Sequence, residues 1–182
     1  MSKRLKILIT GPPRCGKTTL ISQISIQLKK MNIKIFGFIT AEVKKGQKRI
    51  GFRAIDINLK NECWLSRKLN KKTKFMVGNY NVFVDEFEQF LEKSFENFSI
   101  DNSNNLIIID EIGKMELYSK KFISLISEIF KSNNSILATI GQKLRHPVKE
   151  MLLQMKNIKI YNLNRNNFND IKSDLIQNLL EQ

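Results

Sequence analysis

LKILITGPPRCGKT, residues 5–18, runs an apolar stretch straight into a loop with two glycines that closes on lysine and threonine. Gly11, Gly16, Lys17 and Thr18 keep the GxxxxGK[ST] spacing, with a strand-like run before the loop and a helix-like pattern after it. That spacing has a physical purpose. Successive backbone N–H groups at a helix N-terminus wrap an anion, and the helix dipole adds to the attraction. Lys17 can reach β- and γ-phosphates, and the Thr18 hydroxyl can ligate Mg²⁺. Pro12 and Pro13 carry no N–H, but they fall in the first half of the loop, whereas the donors are expected from Arg14, Cys15, Gly16, Lys17 and Thr18. Proline fixes φ, so the pair stiffens the entry. Arg14 has two readings: its side chain flanks the phosphates, or it points to water.

Working outward, short β-rich runs alternate with segments of helical period. A helix is expected over Lys17–Met31 with Leu20, Ile24, Leu28 and Met31 on one face, and IKIFGFIT (33–40) is the next strand. AEVKKGQKRIGFRAIDI then reads as two strands about the turn KKGQ, with NECWLSR as a third; lacking an intervening helix, they should be antiparallel. Phe83, Phe87, Phe90, Leu91, Phe95 and Phe98 mark a helix whose aromatics belong to the core. After the polar spacer DNSNN (101–105) comes LIIID (106–110), then a helix at 119–131 facing inward through Phe122, Leu125, Ile126, Ile129 and Phe130. SILATI (135–140), a helix from Pro147, the strand NIKIYNL and a helix carrying Phe168, Ile171, Leu175 and Leu179 complete the chain. The alternation predicts an α/β fold, mainly parallel with helices on both faces of the sheet.

LIIIDEIGKME places two acids at the end of a buried-looking strand. Asp110 can hold Mg²⁺ through water, and Glu111 can act as general base towards an attacking water. Acids at a strand end often only cap it; together with the glycine loop they read as a site. A glutamate beside the metal-binding aspartate fits the additional-strand, catalytic-Glu branch of such ATPases, in which SILATI would separate the two motif strands. Thr139 and Gln142 would then lie near the γ-phosphate. The guanine-specifying NKxD pattern is absent. In GQKLRHPVKE (141–150), Arg145 is a candidate cation for transition-state charge, in cis or from a neighbouring subunit, or simply part of an exposed helix start with Pro147 in its first turn. Lys114 and Glu116 are expected to orient the site or bridge at its rim. His146, the single histidine, is a weaker base candidate than Glu111.

Composition narrows the classes. The 182 residues suit one domain, 1–182, with the antiparallel insertion at about 41–67. No apolar run nears the ~18 residues of a membrane span, and the basic lead MSKR is not a secretory signal. Cys15 and Cys63 form neither a disulfide framework nor a zinc motif. A cytoplasmic protein without a membrane partner is expected. The net charge of +14 attracts polyanions, but the lysines are scattered and no RNA-reading motif accompanies them, so a nucleic-acid partner has no motif behind it. No feature sets an oligomeric state.

GPPRCGKTTL, GFIT–AEV, RIGFRAID, VGNYNV, LIIIDEIGKMEL, KFI, ILATI and RHP, in that order over residues 5–150, resemble the small P-loop nucleoside-triphosphatases of the thermophilic, cancer-related NTPase type. The resemblance implies Mg²⁺-dependent hydrolysis of ATP, GTP, CTP, UTP and TTP to diphosphate and phosphate, with diphosphates as weaker substrates. It maps nucleotide binding onto Gly11–Thr18 and onto Leu106, Ile107, Ile108, Ile109, Asp110, Glu111, Ile112 and Gly113. Lys17, Glu111 and Arg145 are the catalytic candidates, and Thr18 and Asp110 the metal ligands. Loops of that family usually read GPPGxGKT; Arg14 replaces the glycine and is strained if the site needs φ > 0. The alternative reading is a small-molecule or nucleotide kinase, with an acceptor pocket in the antiparallel insertion and Glu42 and Arg53 as contacts. A nucleotide-gated binding module is the third.

Overall fold

Residues 4–100 and 105–181 are described by a computed structural model; the spacer residues 101–104 and the basic lead at 1–3 lie outside them. The apolar runs become strands of one sheet. β1 (Lys6–Thr10), β2 (Ile35–Lys45), β7 (Leu106–Ile112), β8 (Ser135–Ile140) and β9 (Ile158–Asn162) pair in parallel in the order β2–β7–β8–β1–β9. β8 therefore stands between β1, which leads into the glycine loop, and β7, which carries the two acids. The register couples these strands closely: Ile107 faces Ile136, and Lys6 faces Ile136 from the other side.

Beyond β2 the sheet turns antiparallel through β3 (Lys48–Asp56), β4 (Glu62–Arg67), β6 (Tyr80–Val82) and β5 (Met76–Val77). Here the architecture differs from the expectation in two ways. IKIFGFIT and AEVKK run into one unbroken strand, in which residues 35–39 pair with β7 and residues 38–45 with β3. The antiparallel part also continues past residue 67, through two short strands, to Val82.

Alternation along the central strands splits the interior into two cores. Leu8, Ile107, Ile109, Ile136 and Ala138 point to one face, covered by α2 (Val84–Ser94), α3 (Lys120–Lys131) and α4 (Pro147–Gln154). Phe38, Phe87, Phe90 and Phe122 meet there edge to face at 5.5–5.9 Å, a geometry suited to the aromatic quadrupole. Ile7, Ile9, Ile108 and Leu137 point the other way, under α1 (Lys17–Lys30) and α5 (Phe168–Leu180). Met31 follows the last residue of α1 and is half exposed, so the α1 stripe is completed by Ile21 rather than by Met31. Phe83 is the N-cap of α2, and Phe95 and Phe98 lie past its end, half buried. Lys6, 4% exposed in β1, is matched to the C-terminus of α3: its Nζ donates to Phe130 O and, at 2.8 Å, to Ser132 O. No helix among the described residues is long and apolar enough to cross a membrane.

Candidate active site

The carboxyl ends of β1, β7 and β8 open onto three loops, residues 11–16, 113–115 and 141–146. Together with the β2–β3 hairpin they border a cleft of about 940 Å³. In open α/β sheets this edge, where strand ends and helix starts meet, is where ligands bind.

The glycine loop is built by backbone conformation. Gly16 has φ 104°, and a Cβ there would press on the Phe168 ring at 3.2 Å. It leads directly into α1, with no side chain capping the helix and no acid in its first turn. The opening N–H groups of α1 thus have no intrahelical acceptor, and its positive dipole end is uncompensated. Cys15 N instead closes a turn onto Pro12 O at 3.3 Å, so one donor of the second half is directed into the loop. Arg14 has φ 63°, the left-handed region that the missing glycine would favour. Its side chain is exposed at the mouth of the cleft, close enough to Glu42 to favour that residue's charge. Lys17 Nζ lies 3.5 Å from Gly11 O and 3.8 Å from Glu111 Oε2. Both contacts are long, and the ammonium is weakly held.

Leu106, Ile107, Ile108 and Ile109 are the buried body of β7, and Ile112 is fully buried as well; what they position is Asp110, Glu111 and Gly113. The Asp110–Glu111 peptide is cis. Asp110 is 1% exposed; Thr139 donates to its Oδ1, while its Oδ2 has no hydrogen-bond partner. Burial pushes the carboxyl above the usual range, opposed by the Thr139 hydrogen bond and by Thr18 and Lys17 nearby. Glu111 reaches into the cleft. Burial raises its pKa too, with Lys17 pulling it down and Asp110 pushing it up. An orphaned, buried carboxylate oxygen beside a threonine hydroxyl is a donor set for a hard cation. Mg²⁺ needs only one or two protein ligands besides phosphate and water, so these two residues fit it although no cluster of three potential ligands exists among the described residues.

The remaining candidates disperse. Gln142 lines the cleft, whereas Thr139 is buried beneath Asp110 and acts through it. Lys143 lines the cleft; Arg145 is exposed outside that lining. His146 caps α4, its Nδ1 accepting from Val148 N at 3.2 Å. Glu42 borders the cleft but is paired with Arg49 at 2.9 Å and Lys44 at 3.7 Å. Arg53 is not at the cleft: it pairs with Glu62 at 2.9 Å and stacks on Trp64. Glu116 is not at a rim but 3% exposed, accepting from Thr40 Oγ1 at 3.3 Å. Thr40, Arg49 and Phe52 also line the cleft; alternation along β2 and β3 could have placed them on its side, but only once the hairpin was known to fold over it.

Solved structures share this fold. The crystal structure of THEP1 from the hyperthermophile Aquifex aeolicus superposes with a TM-score of 0.85 at 35% identity, over 96% of this chain and 99% of that one. The solution structure of a human cancer-related nucleoside triphosphatase gives 0.83 at 31% identity, over 98% of each. Fold and site define a P-loop NTPase. The family model described as NTPase matches residues 6–176, and nucleoside-triphosphatase THEP1 of Thermotoga maritima is 36% identical over 176 residues, 94% of each chain. THEP1 of Archaeoglobus fulgidus is 34% identical over 171 residues, 94% of this chain and 96% of its own. The chain belongs to the THEP1 nucleoside-triphosphatase family, and it is a hydrolase acting on nucleoside triphosphates.

Proposed function

We propose that the protein hydrolyses ATP, GTP, CTP, UTP and TTP with Mg²⁺ to the diphosphate and phosphate, diphosphates being weaker substrates, and that Glu111 is the general base. The observation that carries this reading is the placement of Glu111: in the cleft, 3.8 Å from Lys17 and next to the orphaned Asp110 Oδ2. The α1 N–H groups and Lys17 hold the phosphates; Lys17 moves from its weak contacts onto the β- and γ-oxygens. Thr18 and, through water, Asp110 hold the cation. Bound Mg²⁺ supplies charge neutralisation on the phosphate oxygens. Glu111 accepts the proton of the attacking water as its oxygen bonds to the γ-phosphorus and the bond to the β-phosphate oxygen breaks.

Broad base tolerance is supported by the turn between β9 and α5, which flanks a groove beside the glycine loop. Asn164 Oδ1 and the Asn167 side chain are spent on the turn itself, Asn164 Oδ1 accepting from Asn166 N and Asn167 N and Asn167 Nδ2 donating to Asn162 O. The groups so engaged offer little to distinguish one base from another.

Phosphate release from each nucleotide tests the reading. Glu111→Gln is expected to lower kcat about 10²–10⁴-fold with KM for ATP little changed, and chelation of Mg²⁺ to stop turnover reversibly. Full turnover in Glu111→Gln would remove the base assignment. Arg145, outside the cleft lining of its own chain, is proposed as a charge-stabilising cation for a neighbouring subunit; an unchanged kcat in Arg145→Ala assigns it to the surface instead.

A further inference from the structure

Glu116 is a buried acid for which the chemistry above has no use. It opens the 3-10 turn Glu116–Tyr118 that follows β7, and it is 3% exposed. Among the described residues no cation pairs with it. The charged groups near it are Glu111 and Asp110 from β7, Lys17 on the far side of Glu111, and the exposed Lys114 in the adjoining loop. β2, β3 and β5 contribute Thr40, Phe52 and Val77 to the same small chamber, none of them ionisable there. Burial, and after it the charge of Glu111, push Glu116 up to about 8. At neutral pH it is a neutral acid, with one O–H to donate.

The direction of that donor is set by a missing side chain. A Cβ at Gly113 would stand 2.8 Å from Glu116 Oε2 and 3.1 Å from Glu111 Oε1. Glycine at 113 therefore leaves the two carboxyl groups facing one another across an open gap. Glu116 Oε1 is meanwhile engaged by Thr40 Oγ1 at 3.3 Å.

We propose that Glu116, in its protonated form, is a positioning residue for hydrolysis: it accepts from Thr40 and donates across the gap over Gly113 to Glu111 Oε1, directly or through one water. The inference rests on Glu111 being the general base. With Oε1 tethered, Glu111 presents Oε2 to Lys17 and the cleft, the side from which water attacks. A charged carboxylate at 116 would do the reverse, repelling Glu111 and leaving it without a tether. The chain Thr40–Glu116–Glu111 also links the middle of β2 to the end of β7, so the orientation of the base depends on how the hairpin sits.

Steady-state phosphate release from MgATP by full-length variants, measured across pH, tests this. Glutamine imitates the neutral acid, since its amide donates and its carbonyl accepts. Wild type is expected to lose kcat above about pH 8 as Glu116 ionises, and Glu116→Gln to keep kcat near wild type without that fall. Glu116→Leu, similar in size but with no donor, is expected to lower kcat about 10–100-fold with KM unchanged. Gly113→Ala, whose methyl group enters the gap and pushes Glu116 Oε2 aside, should lower kcat likewise with the Glu116 side chain still present. Far-UV circular dichroism and thermal melting establish folding; if Glu116→Leu does not fold, the Gly113→Ala rate and the Glu116→Gln pH profile decide. The proposal is overturned if Glu116→Gln is as inactive as Glu111→Gln, which would make Glu116 a working carboxylate. It is equally overturned if folded Glu116→Leu, or Gly113→Ala in its place, keeps the wild-type kcat. Full turnover in Glu111→Gln overturns both the base assignment and this inference, whereas an inactive Glu111→Gln beside reversed Glu116 outcomes overturns only the latter.

Discussion

Arg14 adopts φ 63° between two prolines and a buried cysteine, a region where a Cβ crowds the backbone at a cost of roughly 1–2 kcal/mol. Its side chain repays little of that, being exposed with Glu42's charge nearby but Lys44 and Arg49 lining the same groove. Arg14→Gly removes the crowding but adds freedom to the unfolded chain, and at positive φ the first effect is the larger. The variant is expected to be more stable by about 0.5–1 kcal/mol, read as a higher urea midpoint at unchanged slope; a lower midpoint would show that the guanidinium contributes more than the strain costs. This strain was legible only through the resemblance, since loops of that family carry glycine where Arg14 stands. Glu116 was not legible as a buried acid. In EIGKME it was expected to orient the site or bridge at its rim, and its burial arises only when the 3-10 turn docks beneath the hairpin, a contact between segments more than seventy residues apart.

Ser119 ties two helices through one hydroxyl. It is fully buried, accepts from Phe122 N at 2.9 Å as the N-cap of α3, and donates to Glu88 Oε1 of α2 at 2.8 Å. Ser119→Ala leaves one helical N–H without its cap and removes the shorter of the two hydrogen bonds to Glu88 Oε1, leaving that from Lys121 N at 3.4 Å. A loss of about 1–2 kcal/mol is expected, measured by chemical unfolding, with kcat intact because neither helix start reaches the cleft. Helices of this kind were legible from their periodicity: α3 buries Phe122, Ile126, Ile129 and Phe130 as spaced, with Leu125 half buried. Strands were legible where they are long and central. β5 and β6, of two and three residues, bury too little to show a period, and they exist because β4 offers an edge to pair with. The break anticipated between residues 40 and 41 is absent for a related reason: Thr40 and Ala41 are polar or small, which marks a strand leaving the core and not one ending.

At the scale of the molecule, 31 lysines and arginines against 17 acids give +14, and the cleft gathers a share of that excess. Arg14, Lys17, Arg49, Lys114 and Lys143 border it, opposed by Glu42 and Glu111. A polyanionic nucleotide approaching this end of the sheet meets a positive field that acts before any contact forms, and such steering weakens as salt shortens the screening length from about 10 Å at 0.1 M to about 3 Å at 1 M. Chemistry in the cleft, among the buried groups around Asp110, is screened far less. Raising KCl at constant free Mg²⁺ is therefore expected to lower kcat/KM for ATP steeply while kcat changes little. Phosphate release at substrate concentrations below and above KM separates the two quantities. A kcat/KM independent of salt would mean that the excess charge is spread evenly over the surface and does nothing for capture. A kcat falling in parallel would place the salt-sensitive contacts in the reacting complex, with Lys17 the first residue to suspect.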